Sequence, residues 1–268
     1  CGNKNYMICL SKNKTDEYVN MFAQGANLPM QDYDYNFGNN PIMIRSMGKR
    51  KLIHWCWENN HPFYYMDSGY IGNYKSTSNP HGWKLYHRVV KDDVQHNKII
   101  DRPDDRWRRL NYTIKSQNSG RYILLVTPSE KPCKFYGIER DTWIEETIKE
   151  IKKYTDREVI VRNKGLRRDR VRDNSIYTQF EEDNIFAVVT YNSIAATEAI
   201  GYGIPAFTLA PNAADFACGT DLSTIETPLY VEEEKVIGWQ NWLGYCQYNP
   251  QEMVAGTVLP TLREYGIK

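Results

Sequence analysis

The sequence predicts an α/β protein made of two small Rossmann-like domains that face each other across a cleft. Short apolar runs bounded by turn residues alternate with amphipathic stretches, which is typical of repeated βα units around a parallel sheet. The pattern is clearest after residue 120, and a less regular version of it fills the first 117 residues. The length of 268 residues is sufficient for two small domains, each with its own core.

The pattern divides the chain into an N-terminal domain over 1–118 and a C-terminal domain over 119–268. In the first domain we predict strands at 6–10, 42–45 and 63–66, helices at 15–24 and 49–59, and a loop at 67–82. In the second we predict strands at 122–126, 158–162, 185–189 and 206–209, helices at 141–154 and 193–201, and terminal helices at 239–245 and 250–265. We expect the last helix to cross back onto the first domain.

Composition excludes several classes of protein. The chain is 41% hydrophobic and 25% charged, which excludes a disordered or collagen-like chain. No apolar run approaches the roughly 18 to 20 residues that span a bilayer, and the first residues lack the basic-then-apolar pattern of a secretory signal. We therefore expect a cytoplasmic protein without a membrane partner. The six cysteines are scattered without a C-x-x-C pair, and no histidine pair has the spacing of metal ligands, so we expect no metal site.

Charge is distributed unevenly along a nearly neutral chain. The net charge is +3 over residues 1–97, +8 over 98–172 and −10 over 173–268. The basic middle contains two arginine-rich clusters, at 102–109 and 162–172. These clusters could neutralise the phosphates of a nucleotide or of DNA, or they could form solvated loops that pair with the acidic last third. The sequence leaves both readings open.

The most informative segment is residues 189–205, in which an apolar strand leads directly into a helix of small residues. Thr190, Asn192 and Ser193 lie at this junction, where backbone N–H groups and the helix dipole favour an anion such as a diphosphate. Glu198 falls one turn into the helix, where its carboxylate could bind ribose hydroxyls. The alternative is that Ser193 only caps the helix and that Glu198 is only a solvated side chain.

The segment TYNSIAATEAIGYGIPAF resembles the donor site of two-domain (GT-B fold) glycosyltransferases, particularly capsule-type transferases and small phage-encoded ones. Further stretches resemble the phage group and extend the similarity over most of the chain: FYYMDSGY, LYHRVVKDDVQH, RPDDRW, IETPLY and WQNWLGYCQYNPQEMVAG. The resemblance implies transfer of a hexose, with UDP-glucose as the expected donor, from the C-terminal domain to an acceptor bound by the N-terminal domain. For the phage group it implies 5-hydroxymethylated pyrimidines in double-stranded DNA as acceptors, and hence the host cytoplasm as the location.

Such a reaction needs cations for the leaving phosphate and a base for the acceptor hydroxyl. Arg162 and Lys164 follow an apolar strand and are predicted to contact the diphosphate without a required metal. Asp67 follows the strand FYYM and is predicted to be the base, with a pKa raised by its aromatic neighbours. Its alternative is an Asx-turn residue that caps the loop. Because one carboxylate suffices for direct displacement, inversion is the expected outcome.

Acceptor binding is predicted for Arg88 and the Arg106–Trp107 pair, because arginine and tryptophan bind phosphates and stack on extruded bases. Arg167 and Arg168 are predicted to contact the DNA backbone. The D-x-D pattern at 32–34 could assist turnover through Mg²⁺ or Mn²⁺, but its surroundings predict a loop. Two alternatives remain: a surface-polysaccharide glycosyltransferase, and a catalytically inert nucleotide- or nucleic-acid-binding protein on the same fold.

Overall fold

The computed structural model describes residues 7–34, 36–75, 77–109, 119–163 and 175–264. The strands, in chain order, are β1 Ile8–Leu10, β2 Met30–Gln31, β3 Ile42–Arg45, β4 Phe63–Ser68, β5 His87–Lys91, β6 Tyr122–Val126, β7 Val159–Arg162, β8 Ile185–Thr190, β9 Ala206–Thr208, β10 Cys218–Gly219 and β11 Gln247–Tyr248. The helices are α1 Glu17–Gly25, α2 Arg50–Glu58, α3 Asp105–Arg109, α4 Glu130–Tyr136, α5 Arg140–Ile151, α6 Ile176–Glu182, α7 Ala195–Tyr202, α8 Glu233–Tyr245, α9 Pro250–Val254 and α10 Val258–Glu264. None of the helices in the described ranges is both long and apolar enough to cross a membrane.

The chain forms two compact units, each assembled from separate stretches of sequence. The first contains the described residues of Cys1–Gly69, Lys84–Val94 and Tyr245–Lys268, and the second contains those of Tyr70–Trp83 and Gln95–Gly244. The predicted domains at 1–118 and 119–268 are continuous, so these units group the sequence differently. The predicted boundary falls beside residues 110–118, which lie outside the described ranges, and it stays a prediction.

The first unit contains a six-stranded sheet in the order β11-β5-β4-β3-β1-β2. Strands β2, β1, β3 and β4 are parallel to one another, whereas β5 pairs antiparallel with both β4 and β11. One face carries Cys9, Met43, Met66 and Val89, which pack in a core with residues of α1 and α10. The sheet is therefore mixed rather than the all-parallel sheet of a simple βα repeat.

The C-terminal segment belongs to the first unit, because β11 extends its sheet and α9 and α10 join its core. A close approach of two glycines packs this segment against α1. A Cβ on Gly25 would lie 1.9 Å from the Met253 carbonyl oxygen, and one on Gly256 would lie 2.2 Å from the Gly25 oxygen. Gly256 also has a φ of +72°, so the contact requires glycine both for space and for conformation.

The second unit contains an all-parallel sheet in the order β10-β9-β8-β6-β7. Its central strand β8 (IFAVVT) is buried throughout, as expected for a strand covered on both faces. Residues at the carboxyl ends of the strands form one row, in which Val126 pairs with both Arg162 and Thr190. This edge of the sheet contains Arg162 and Thr190, two of the residues predicted to bind a donor.

The predicted strands and most of the predicted helices are present, and the differences lie mainly in elements too short to show a periodic pattern. Strand β4 continues to Ser68, so Asp67 is a strand residue and the loop begins later than predicted. The predicted helix at 250–265 is instead two helices, because Gly256 interrupts it after α9. Strands β2, β5, β10 and β11 and helices α3, α4 and α6 are not among the predicted elements.

Candidate functional site

The turn after β8 is stabilised by Thr190, which is fully buried. Its hydroxyl donates a hydrogen bond to the Val126 carbonyl at 3.1 Å and accepts one from the Ser193 N–H at 3.3 Å. The first bond links two neighbouring strands, and the second fixes the path of the chain into α7. Thr190 therefore shapes the predicted donor turn from inside the protein, where a ligand would not reach it.

Asn192 and Ser193 lie at the start of α7, and 6% and 8% of their surfaces are exposed. The Ser193 hydroxyl accepts a hydrogen bond from the Ala195 N–H at 3.3 Å, as the capping alternative expects. Asn212 donates to the Ser193 carbonyl at 2.9 Å and so connects this turn to the segment after β9. The turn is thus held from two sides before any ligand binds.

Helix α7 lies close to the sheet because the side chains that face it are small. Ala196 and Ala199 are fully buried, and α7 contacts both β8 and β9. Glu198 is partly exposed in the first turn of the helix. Its position agrees with the predicted location one turn into the helix, while its predicted role in ribose binding stays a prediction.

Among the described residues, Arg162 and Arg140 lie at the carboxyl edge of this sheet, and Arg140 is not among the predicted site residues. Arg162 ends β7 and donates a hydrogen bond to the Gln179 side chain of α6 at 2.9 Å. Arg140 begins α5 and donates to Thr127 at 3.3 Å and to Asn163 at 2.6 Å. Thr127 follows β6 and Asn163 follows β7, so the Arg140 guanidinium connects the ends of two adjacent strands.

The amino end of α5 already has a carboxylate partner. Glu139 accepts hydrogen bonds from the N–H groups of Asp141 at 3.2 Å and Thr142 at 2.7 Å. Hydrogen bonding from Thr142 holds the pKa of Glu139 below its ordinary value. Because Glu139 satisfies these backbone donors, the cationic group at this end of α5 is Arg140, whose side chain is 38% exposed and pairs with Asp141 at 2.9 Å.

In the first unit, Asp67 lies near the carboxyl end of β4 and accepts hydrogen bonds on both carboxylate oxygens. The Tyr65 hydroxyl donates to Oδ2 at 2.6 Å, and the Ser68 N–H donates to Oδ1 at 2.7 Å. The Ser68 hydroxyl lies 3.3 Å from the same Oδ1. The bonds from Ser68 are local, as the turn alternative expects, but the bond from Tyr65 comes from within the strand.

Arg88 is the partner of Asp67 across the β4–β5 pair, so two of the predicted residues come together. Its guanidinium donates to the Ser68 carbonyl at 2.7 Å and lies 5.6 Å from the centre of the Tyr65 ring. Arg88 is in turn the partner of Gln247 on β11. These three positions form a row across three strands on one face of the sheet, which we name the Asp67–Arg88–Gln247 row.

Of the other predicted acceptor residues, the structure describes Arg106 and Trp107. Arg106 and Trp107 belong to α3 in the second unit, and each is only 9% exposed. The Arg106 Nε donates to the Gly244 carbonyl at 2.5 Å, so this side chain anchors the end of α8. Lys164, Arg167 and Arg168 lie outside the described residues.

The carboxylates of the D-x-D pattern accept hydrogen bonds from neighbouring protein groups. Asp32 accepts from the Asn13 N–H at 3.2 Å, and Asp34 accepts from the Gln31 side chain and from the Asn36 N–H at 3.3 Å. Within the described ranges, no group of three or more His, Cys, Asp or Glu side chains is placed to bind a metal ion.

Sequence reasoning missed Tyr65 and Arg140, and each omission has a physical cause. Tyr65 belongs to the apolar strand FYYM, so the sequence predicts a packing residue. A buried tyrosine cannot be distinguished from a packing residue until the partner of its hydroxyl is known. Arg140 precedes the predicted start of its helix by one residue, and the available signal was a cation at a strand-to-helix connection. The partners of Arg140 are distant from it in sequence, whereas the bond from Tyr65 to Asp67 depends on the direction in which a buried hydroxyl points.

The two sheets together define a mixed α/β fold that is shared with solved glycosyltransferases. The structure of Thermosulfurimonas dismutans KpsC, beta Kdo 2,4 transferase, is similar with a TM-score of 0.53 at 10% identity, covering 97% of this chain and 99% of that one. The KpsC beta Kdo 2,7 transferase of the same organism is similar with a TM-score of 0.51 at 9% identity, covering 95% and 99%. No protein-family model matches the chain, and no curated protein sequence matches it. The similarity is thus one of fold.

Proposed function

We propose that this protein is a glycosyltransferase that moves a sugar from a nucleotide-activated donor to a hydroxyl acceptor. The observation that carries the proposal is the carboxyl edge of the second sheet. There the hydrogen-bonded turn after β8 leads into α7, which packs closely on the sheet. Arg140 and Arg162 lie at the same edge. This edge is the usual ligand crevice of an open α/β sheet. The fold similarity to sugar transferases supports the same class.

The donor phosphate is proposed to bind at the start of α7, with Asn192 and Ser193 as hydrogen-bonding neighbours. Arg140 and Arg162, together with Lys164, would stabilise the negative charge that grows on the leaving phosphate. Glu198 would bind the ribose hydroxyls. UDP-glucose is the proposed donor, and nucleotide-activated Kdo is the second candidate because the similar structures are Kdo transferases.

Asp67 is proposed to take the proton from the acceptor hydroxyl. The acceptor oxygen then forms a bond to the anomeric carbon while the bond from that carbon to the phosphate oxygen breaks, so the nucleotide leaves with the electron pair. The hydrogen bonds from Tyr65 and Ser68 stabilise an ionised Asp67, which is the form that a base needs. A single displacement of this kind inverts the anomeric centre.

Two acceptor classes are proposed. The sequence resemblance to phage transferases supports a 5-hydroxymethylated pyrimidine in double-stranded DNA, with Arg167 and Arg168 on the phosphates. A surface glycan is the alternative, and one observation favours it: Arg106 and Trp107, which were expected to contact an extruded base, are buried in the second unit. The similar structures also act on sugars, by their names.

The test is a matrix of donors and acceptors followed by mass spectrometry. The protein is incubated with UDP-sugars or nucleotide-activated Kdo, and with DNA that contains 5-hydroxymethylcytosine or 5-hydroxymethyluracil, or with acidic and neutral oligosaccharides. A gain of one sugar mass on either acceptor class supports transfer and identifies the substrate. If nucleotides bind but no acceptor gains mass and no donor is hydrolysed, the protein is an inert binding protein on this fold.

A further inference from the structure

The side chain of Tyr65 occupies an unusual position for a buried residue. It is fully enclosed, yet its hydroxyl donates a 2.6 Å hydrogen bond to a carboxylate oxygen of Asp67, which is partly exposed. Tyr65 and Asp67 are two residues apart on β4, so both project from the same face of the sheet. The bond therefore connects the interior of the first unit to the group that we propose as the base.

Packing alone does not explain the hydroxyl. Phe63 lies two residues earlier on the same strand and face and is equally buried, which shows that this face accepts a phenyl ring without a polar group. A hydrogen bond to a charged group is stronger than one between neutral groups, and it fixes both partners in direction. The hydroxyl is thus the feature of residue 65 that acts on Asp67.

Arg88 on β5 is the charged residue, among those that the structure describes, that faces Tyr65 and Asp67 from the neighbouring strand. Its guanidinium lies 5.6 Å from the Tyr65 ring centre and donates to the Ser68 carbonyl at 2.7 Å. The ring of Tyr65 is fully enclosed and has this cation beside it, so packing restricts the orientation of the ring and with it the direction of the hydroxyl.

We propose that Tyr65 is a positioning residue that holds the Asp67 carboxylate ionised and directs it for proton transfer. This inference rests on the proposed function, because it assigns Asp67 the role of base. Tyr65 keeps its own proton throughout the reaction, and Asp67 receives the proton of the acceptor hydroxyl.

The test compares Tyr65→Phe with Tyr248→Phe. Tyr248 is also fully buried in the first unit and donates its hydroxyl proton to a backbone carbonyl, that of Tyr245, at 3.0 Å. It pairs with His87 and so projects from the opposite face to Asp67. Both variants lose one buried hydroxyl, but only the first loses a donor to Asp67.

The first readout is the NMR titration of ¹³C-labelled aspartate carboxyl groups in the ligand-free protein, with Asp67→Asn to assign the signal. We expect Tyr65→Phe to raise the titration midpoint of Asp67 by about one pH unit, because the ionised form loses a donor. Tyr248→Phe should leave this midpoint unchanged. An unchanged midpoint in folded Tyr65→Phe would overturn the inference.

The second readout is the pH profile of kcat/KM with the substrate pair that the matrix identifies. The acid limb should move upward by the same amount in Tyr65→Phe, with a plateau within about threefold of the parent, since the base itself remains. If Tyr65→Phe does not fold, 3-fluorotyrosine at position 65 replaces it, because this stronger donor should lower the midpoint. An NMR shift without transfer of any sugar would overturn the proposed function and the catalytic role, while the Tyr65–Asp67 bond would stand.

Discussion

The carboxyl edges of the two sheets present different kinds of polar site. In the second unit every strand is parallel, and the edge offers a turn, the start of α7 and the partly exposed Arg140. In the first unit the antiparallel strands β5 and β11 continue the sheet past β4, so side chains from three strands lie side by side in the Asp67–Arg88–Gln247 row. A helix start and a partly exposed cation suit a phosphate that must bind and leave. A row of fixed side chains suits a proton transfer that needs precise direction.

The largest expected effect comes from removing the charge of the first edge. Asp67→Asn should lower kcat by about 10² to 10⁴ without a change in donor affinity, because general base catalysis contributes about this much. Steady-state kinetics and calorimetry of nucleotide binding measure the two quantities. Glu58→Gln, which removes an exposed carboxylate at the end of α2 in the same unit, is the control. A variant at position 67 with full activity would remove Asp67 from the mechanism.

The next prediction tests the packing of the C-terminal segment against α1 in the first unit. Gly25→Ala should lower the free energy of unfolding by about 3 kcal/mol, because its Cβ would lie 1.9 Å from the Met253 carbonyl oxygen and neither backbone can yield cheaply. Chemical denaturation measures the loss. Stability equal to that of the parent would show that α1 and α9 are not packed at these glycines.

Removing a cation from the carboxyl edge of the second sheet should have a smaller effect. It should weaken donor binding, whereas Asp67→Asn should lower kcat. Arg140→Ala should weaken donor binding by about 30-fold, equivalent to the roughly 2 kcal/mol of a charge-assisted hydrogen bond, while acceptor KM is unchanged. The control is Arg108→Ala, which removes an exposed cation of the same unit that pairs with Asp104. Equal donor affinity in both variants would contradict a role for Arg140 in phosphate binding.

The smallest expected effect comes from a glycine that, unlike Gly25, has open space around it. Gly238 lies within α8, and a Cβ there would meet nothing within 4 Å. Gly238→Ala should therefore raise the free energy of unfolding by about 0.5 to 1 kcal/mol through helix propensity. If Gly238→Ala lowered the free energy of unfolding instead, Gly238 would be packed as closely as Gly25.

The elements that the sequence predicted are those whose apolar pattern is long and local. The run IFAVVT predicted β8, and the spacing of apolar residues predicted α5, because burial on both faces or on one stripe leaves a direct trace in sequence. Strand β11 has only two residues, and it is a strand because β5 lies beside it. No local pattern encodes such a partner.

The candidate site shows the same limit. Asp67 and Arg88 were each predicted from their neighbours in sequence, but their pairing follows from the antiparallel register of β5, which was not predicted. Arg106 was predicted from a basic cluster, and its position against Gly244 depends on a helix 138 residues away in sequence. Residue type can therefore be read locally, whereas the partner of a side chain is decided by topology.

The position of β11, α9 and α10 has a consequence for the order in which the molecule is made. A ribosome produces residues 7–94 first, yet the sheet edge at β5 and the core against α1 are completed by Gln247, Tyr248, Val258, Leu259 and Leu262. The residues of the all-parallel sheet are synthesised before any of these five. The apolar face of the N-terminal segment therefore stays partly exposed until the C-terminal residues are made. All strands of the second sheet are available before that point. A chain that stalls after residue 244 would carry a complete second sheet and an open first one.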